Sequence, residues 1–103
     1  KKTLPKPVKN LKELSQAIHS VKESIEEEDV DKTIDIFEEF IDPKKSGEQM
    51  IENFFDEHRE IRLWKIRLKD RGVDYLIDNK ERMMVLFDNI EGTVTKKLRN
   101  EIA

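Results

Sequence analysis

The chain contains no cysteine, only three glycines and three prolines, and no long hydrophobic segment. Without cysteine it can form no disulfide framework and has no thiol nucleophile. The longest uninterrupted apolar segment is Met83 to Phe87, far shorter than the roughly 20 residues that a membrane-spanning helix needs. Gly47, Gly72 and Gly92 stand far apart, which excludes a glycine-rich phosphate-binding loop.

Histidine is also scarce, and no arrangement of residues in the sequence predicts a catalytic centre. His19 and His58 are the only histidines, and neither follows a glutamate by three residues, as the ligand pairs of di-iron bundles do. Residues 56–60 contain three acids beside His58 and could hold a metal weakly, but such a cluster is more often a solvated helix face. We therefore expect no enzymatic activity, no metal and no other cofactor.

Charged residues make up 42% of the 103 residues, and the two signs of charge are concentrated in different segments. Residues 22–42 carry ten acids and two bases, whereas residues 58–71 carry six bases and two acids. The net charge is only −3, which gives no general bias toward nucleic acid or anionic membranes. A chain of this length is expected to form one domain with a modest core.

Apolar residues recur at intervals of three and four along most of the chain, which predicts amphipathic helices. A first helix is predicted over residues 11–26, with Asn10 as its N-cap. Its apolar stripe consists of Leu11, Leu14, Ile18, Val21 and Ile25. Residues 1–9 contain two prolines and four lysines, so we expect an extended basic linker before a helical domain at residues 10–103.

A second helix is predicted from Val30 to Ile41, with Asp29 or Asp31 as its cap and Pro43 after its end. Its apolar face is formed by Val30, Ile34, Phe37 and Ile41 and widened by Ile36 and Phe40.

The second half of the chain continues the helical pattern. Residues 48–70 form either one long helix or two shorter ones. A break is expected at Gly72, followed by a closing helix that frays near Gly92. No useful strand alternation occurs. The predicted fold class is all-α, a compact bundle of four to five helices without a sheet.

Two segments resemble the integrase-binding domain of lens-epithelium-derived growth factor. That domain belongs to the helical-bundle family typified by the N-terminal domain of transcription elongation factor S-II. The first segment is IEEEDVDKTIDIFEEF at residues 25–40, and the second is IRLWKI at residues 61–66. The resemblance implies a nuclear five-helix bundle that binds short disordered peptides of transcription and chromatin factors.

The resemblance also implies which residues bind the peptide. In such domains two interhelical loops form the site, and the matching positions are Ile25 and Glu26 in the first loop and Trp64 and Ile66 in the second. Glu26 stands where the family has an aspartate that accepts hydrogen bonds from the peptide backbone. The hydrophobic residues hold an aromatic anchor, so Ile25→Ala or Trp64→Ala is expected to abolish binding while helical content is retained. The resemblance places Trp64 at a loop, whereas the periodicity places it within a helix.

Arg62, Lys65 and Arg67 are expected to contact acidic residues of such a peptide. The same basic segment could instead pair with the acidic first hairpin of the bundle, or bind nucleic acid through residues 58–71. A further alternative is a structural or assembly domain, viral or phage in origin, whose apolar stripes are completed by self-association. The sequence favours a non-enzymatic peptide-binding module over these alternatives.

Overall fold

A computed structural model describes residues 6–46 and 49–102, with side chains at residues 11–45, 49 and 51–100. All secondary structure in these ranges is helical, which confirms the predicted all-α bundle. The elements are α1 (Lys6–Glu26), α2 (Val30–Ile36), a π-helical segment (Phe37–Ile41), α3 (Pro43–Ser46), α4 (Gln49–Glu57) and α5 (Arg59–Ile102). In the described ranges, none of these helices has the length and apolar character that crossing a membrane requires.

Helix α1 begins at Lys6, so the predicted start of the first helix at residue 11 and its N-cap at Asn10 are wrong. Residues 6–9 are helical rather than extended, and residues 1–5 of the expected linker lie outside the described residues. Pro7 is compatible with this start because the amides of a first helical turn have no partner within the helix. The predicted apolar stripe of α1 is confirmed, since all five of its members are buried.

The turn between α1 and α2 is closed by backbone hydrogen bonds. Glu28 adopts a left-handed conformation with φ of 57°. Its amide donates to the Ile25 carbonyl at 3.1 Å, and the Asp29 amide donates to the Ser24 carbonyl at 2.9 Å. This is the Schellman pattern of helix termination. The carboxylate of Asp29 then accepts from the Lys32 amide at 3.0 Å, so Asp29 rather than Asp31 caps α2.

The second predicted helix has the expected bounds, but its last turn widens into the π-helical segment. Phe37 and Ile41 are buried. Phe40 is 40% exposed, although the sequence placed it on the apolar face of this helix. Val30 and Ile34 are only partly buried. A π-helical turn contains an additional residue, so it changes the direction in which the following side chains point.

A buried polar contact joins α1 to α2. The hydroxyl oxygens of Ser24 and Thr33 lie 2.6 Å apart, and each also lies close to a carbonyl of its own helix or cap, Val21 or Asp29. The two hydroxyls carry only two protons, so at most two of these three contacts are hydrogen bonds at one time, and each hydroxyl takes part in at least one of them. Both are therefore satisfied inside the core.

Residues 49–70 form two helices, which answers the question that the sequence left open. The break is at His58, whose amide is shared between the carbonyls of Phe54 and Phe55 at 3.1 Å each. Phe54 and Phe55 before the break and Ile61 after it are all buried. No proline or glycine marks this position.

Helix α5 bends at Gly72, where φ is 59° and ψ is −131°. We call residues 59–71 its first arm and residues 73–102 its second arm. The rings of Trp64 and Tyr75 meet edge to face with centroids 5.5 Å apart. Eleven residues of straight helix would separate them by about 16 Å along the axis, so the two arms fold back on each other. The helix continues through Gly92, and the expected fraying there is wrong.

The second arm packs along α1 and sets the long dimension of the molecule. Thirty helical residues span about 45 Å, close to the 48 Å long axis. The arm buries five side chains against the rest of the bundle: Leu76, Met83, Phe87, Ile90 and Val94. At the surface of this contact, Lys22 bonds both Asp88 and Glu91.

Candidate peptide-binding groove

A small depression lies between the π-helical segment and the first arm of α5, and we call it the groove. Its volume is about 190 Å³. It is lined by Phe37, Ile41, Pro43, Ile61, Arg62, Lys65 and Ile66. The first two and Ile61 are buried and form an apolar floor, while Ile66 is 56% exposed. The groove can therefore accept an apolar side chain from outside the molecule.

Two bases stand at the rim of the groove, and each is held only loosely. Lys65 Nζ lies 3.8 Å from a carboxylate oxygen of Asp42, and Arg62 Nη2 lies 3.8 Å from one of Asp56. Both distances exceed those of charge-assisted hydrogen bonds. The buried Nε of Arg62 has no acceptor among the described residues. Because the Arg62 side chain as a whole is 43% exposed, a ligand carboxylate can compete for this guanidinium.

Arg62, Lys65 and Ile66, three of the predicted binding residues, meet at this groove. Ile25 and Trp64 do not, since Ile25 is fully buried and Trp64 is only 7% exposed. Trp64 lies within the first arm, as the periodicity predicted, and not at a loop as the resemblance implied. Neither side chain presents a surface to a ligand. We therefore expect Ile25→Ala and Trp64→Ala to lose folded structure, contrary to the expectation from the resemblance.

The other two predicted binding residues lie elsewhere. Glu26 is exposed at the end of α1 and lines a different depression with His19, Lys22 and Met84. Its carbonyl accepts from Lys80 Nζ at 3.4 Å. Arg67 is exposed on the first arm, does not line the groove and forms no ion pair among the described residues.

Part of the basic segment pairs within the bundle, as one alternative reading of the sequence predicted. Besides the Lys65–Asp42 contact, Lys69 Nζ lies 2.5 Å from a carboxylate oxygen of Glu38. This hydrogen bond lowers the pKa of Glu38 below its ordinary value and raises the pKa of Lys69. Both side chains are solvated, so the pair adds little stability.

The sequence did not reveal the floor of the groove. Phe37 and Ile41 were predicted as core, and Pro43 only as a helix stop. A signal was nevertheless present at Ile66, which is out of phase with the buried positions Ile61 and Leu68 of the same arm. An apolar residue outside the buried stripe of an amphipathic helix indicates a surface contact.

The acids near His58 point to different partners and do not converge. Asp56 faces Arg62, and Glu57 lies 3.7 Å from Lys97. His58 stacks on Phe54 at 4.3 Å, and its Nδ1 lies 3.0 Å from the Phe54 carbonyl. In residues 6–46 and 49–102, no three His, Cys, Asp or Glu side chains are grouped to hold a metal ion.

Comparison with known proteins leaves the groove as the basis for any functional argument. The chain matches no protein-family model, no curated protein and no solved structure. The resemblance to the integrase-binding domain remains a prediction. The function is therefore argued from the chemistry of the groove.

Proposed function

We propose that the protein is a non-enzymatic interaction module that binds a short disordered peptide in the groove. The observation that carries this proposal is the apolar floor beside exposed Ile66, with Arg62 and Lys65 at the rim. This combination suits a peptide with one hydrophobic anchor followed by acidic residues. Following the resemblance, the proposed partners are disordered segments of transcription and chromatin factors, and the proposed location is the nucleus.

The size of the groove limits the expected affinity. A depression of about 190 Å³ accommodates a single large side chain, and the remaining peptide lies on the surface. Ordering a disordered ligand costs free energy, so the dissociation constant is expected on the order of micromolar. Added salt weakens the contacts to Arg62 and Lys65 because both bases are partly solvated.

The test starts from peptides selected by display of disordered acidic segments on the wild-type protein. Fluorescence anisotropy then compares wild type with Ile66→Asp, for which we expect affinity to fall at least about tenfold through loss of apolar contact and added repulsion. Ile77→Asp is the matched control, because Ile77 is similarly exposed, at 51%, on the other arm of the same helix. Circular dichroism verifies that both variants are folded.

The outcomes separate the proposal from its alternatives. Equal losses of peptide affinity in Ile66→Asp and Ile77→Asp would place the peptide outside the groove, and so would unchanged affinity in Ile66→Asp. Failure to select any peptide would oppose a peptide-binding function. Single-stranded RNA or DNA that binds more tightly than every selected peptide, and is released by Ile66→Asp, would assign the rim to nucleic acid.

A further inference from the structure

Exposed aliphatic side chains are concentrated on the two arms of α5. Leu63 on the first arm is 49% exposed, and Val73, Ile77 and Val85 on the second arm are 53, 51 and 61% exposed. None of these four residues lines the groove. Isolated exposed aliphatics are ordinary, but aligned ones mark a surface for association.

The first arm carries such a residue among unpaired bases. Arg59, Leu63, Arg67 and Arg71 repeat every four residues, so they form one row inclined to the helix axis, which we call the basic stripe. All four are exposed. The three arginines form no ion pair within the described ranges, unlike Lys65 and Lys69, which face acids of the bundle.

The second arm carries the opposite pattern. Val73, Ile77, Glu81 and Val85 also repeat every four residues, and Asp74 and Asp78 precede Ile77 and Glu81 by three. These six residues form neighbouring rows on one side of the helix, which we call the acidic stripe. All six are exposed, and the three acids have no ion-pair partner in the part of the chain that the structure describes.

The two stripes match in length as well as in charge. Residues 59–71 and 73–85 each span twelve helical steps, or about 18 Å. The stripes do not pair within one chain, because the arms meet through Trp64 and Tyr75 while the stripe residues remain exposed. One chain thus carries both halves of a complementary contact that it cannot close itself.

We propose that the acidic stripe of one copy binds the basic stripe of a second copy. Each aliphatic residue is then covered by the facing helix, and each unpaired charge gains an opposite neighbour. The two stripes are different surfaces, so the contact is head-to-tail and leaves one stripe of each kind free at the ends. The assembly therefore grows with protein concentration and shortens when salt screens the charges.

The test is sedimentation velocity over a range of concentrations at low salt. Wild type is expected to associate, whereas Arg67→Glu/Arg71→Glu and Asp74→Lys/Asp78→Lys are each expected to be monomeric. An equimolar mixture of these two variants is expected to associate again, because their intact stripes pair with each other and their two charge-reversed stripes are complementary as well. Lys12→Glu/Lys44→Glu is the control for Arg67→Glu/Arg71→Glu, since it makes the same change in net charge at exposed positions outside both stripes.

Circular dichroism verifies folding, and Val85→Lys is a further variant with the same expected loss of association. Monomeric wild type at every concentration would overturn the proposal, as would stripe variants that associate like wild type or a mixture that does not associate. The groove is not involved in this contact. Peptide binding by monomeric Asp74→Lys/Asp78→Lys therefore tests the proposed function separately.

Discussion

Gly72 and Gly92 lie in the same helix and have opposite structural consequences. The sequence predicted a break at Gly72 and fraying near Gly92, and at either position an added Cβ would meet no atom within 4 Å outside the adjoining residues of its own helix. Yet the chain bends at Gly72, with φ of 59°, and remains helical through Gly92. The comparison teaches that a glycine permits a bend, whereas the side chains on either side of it decide whether one forms.

Those side chains differ in what they contact. On either side of Gly72, the rings of Trp64 and Tyr75 meet across the bend. On either side of Gly92, Ile90 and Val94 are buried in the core, and Glu91 next to it bonds Lys22 of α1. The contact between Trp64 and Tyr75 forms only if the helix folds back at Gly72. The buried contacts around Gly92 form only if the helix stays straight there.

The largest expected effect comes from removing the ring that closes the bend. Trp64→Ala deletes a nearly buried indole, so we expect the free energy of unfolding to fall by about 3–5 kcal/mol. This is a large share of the stability of a small domain. Urea unfolding followed by circular dichroism measures it.

The contribution of the ring pair itself is measured by a double-mutant cycle. Combining Trp64→Leu with Tyr75→Leu should reveal a coupling of about 0.5–1.5 kcal/mol. Purely additive effects would show that the bend does not depend on this aromatic contact.

A smaller loss is expected from Gly72→Ala. The new methyl group meets no neighbour, so its effect arises from the backbone alone, which must hold a side-chain residue at positive φ. We expect the free energy of unfolding to fall by about 1–3 kcal/mol. Chemical denaturation measures this change.

Gly92→Ala is the matched control because it makes the same substitution in the same helix at an ordinary helical position. Here alanine restricts the unfolded chain and favours the helix, so we expect a gain of about 0.5–1 kcal/mol. Equal signs for the two substitutions would contradict the structural difference between the glycines.

A modest effect is expected at the ion pairs that hold the straight region to α1. Lys22→Met removes the ammonium that Asp88 and Glu91 share, and we expect a loss of about 1 kcal/mol. Hydrogen bonds from Lys22 to these carboxylates raise the pKa of Lys22 above 10.5. The stabilisation is therefore complete below pH 10.5 and is lost as the pH rises through the pKa that Lys22 has in the folded protein.

The raised pKa of Lys22 predicts how the stability difference between wild type and Lys22→Met depends on pH. The stability difference between wild type and Lys22→Met should stay constant near neutral pH and shrink at pH above 10.5. Urea titrations on both sides of that value measure it. A difference that grows at alkaline pH would mean that Lys22 is not stabilised in its charged form.

Several elements could be predicted because they depend on neighbouring residues in the chain. The buried stripe of α1, the cap at Asp29 and the end of the second helix before Pro43 all follow from local periodicity, hydrogen bonding or missing amides. The break at His58 could not be predicted, since no helix-breaking residue stands there. Phe54, Phe55 and Ile61 on both sides of the break are buried in a core assembled from residues far apart in the chain, and local sequence does not show that arrangement.

Only part of the candidate groove could likewise be predicted from the sequence. Arg62, Lys65 and Ile66 were selected from the sequence, and the structure brings them together. Ile25 and Trp64 were selected with them, but both are core residues. A sequence shows that a residue is apolar and where it lies in a helical period, but a short match to another family does not show which helix covers it.

The sequence by itself determined an all-α protein, the stripe of α1 and the separation of acidic from basic segments. Periodicity and charge order are properties of the chain, so they persist in any arrangement of its helices. Only the tertiary structure decided that Gly72 bends and Gly92 does not, that Trp64 is core, and that Ile66 borders a groove. Those outcomes depend on which surfaces bury each other, and that is settled by packing between residues far apart in the chain.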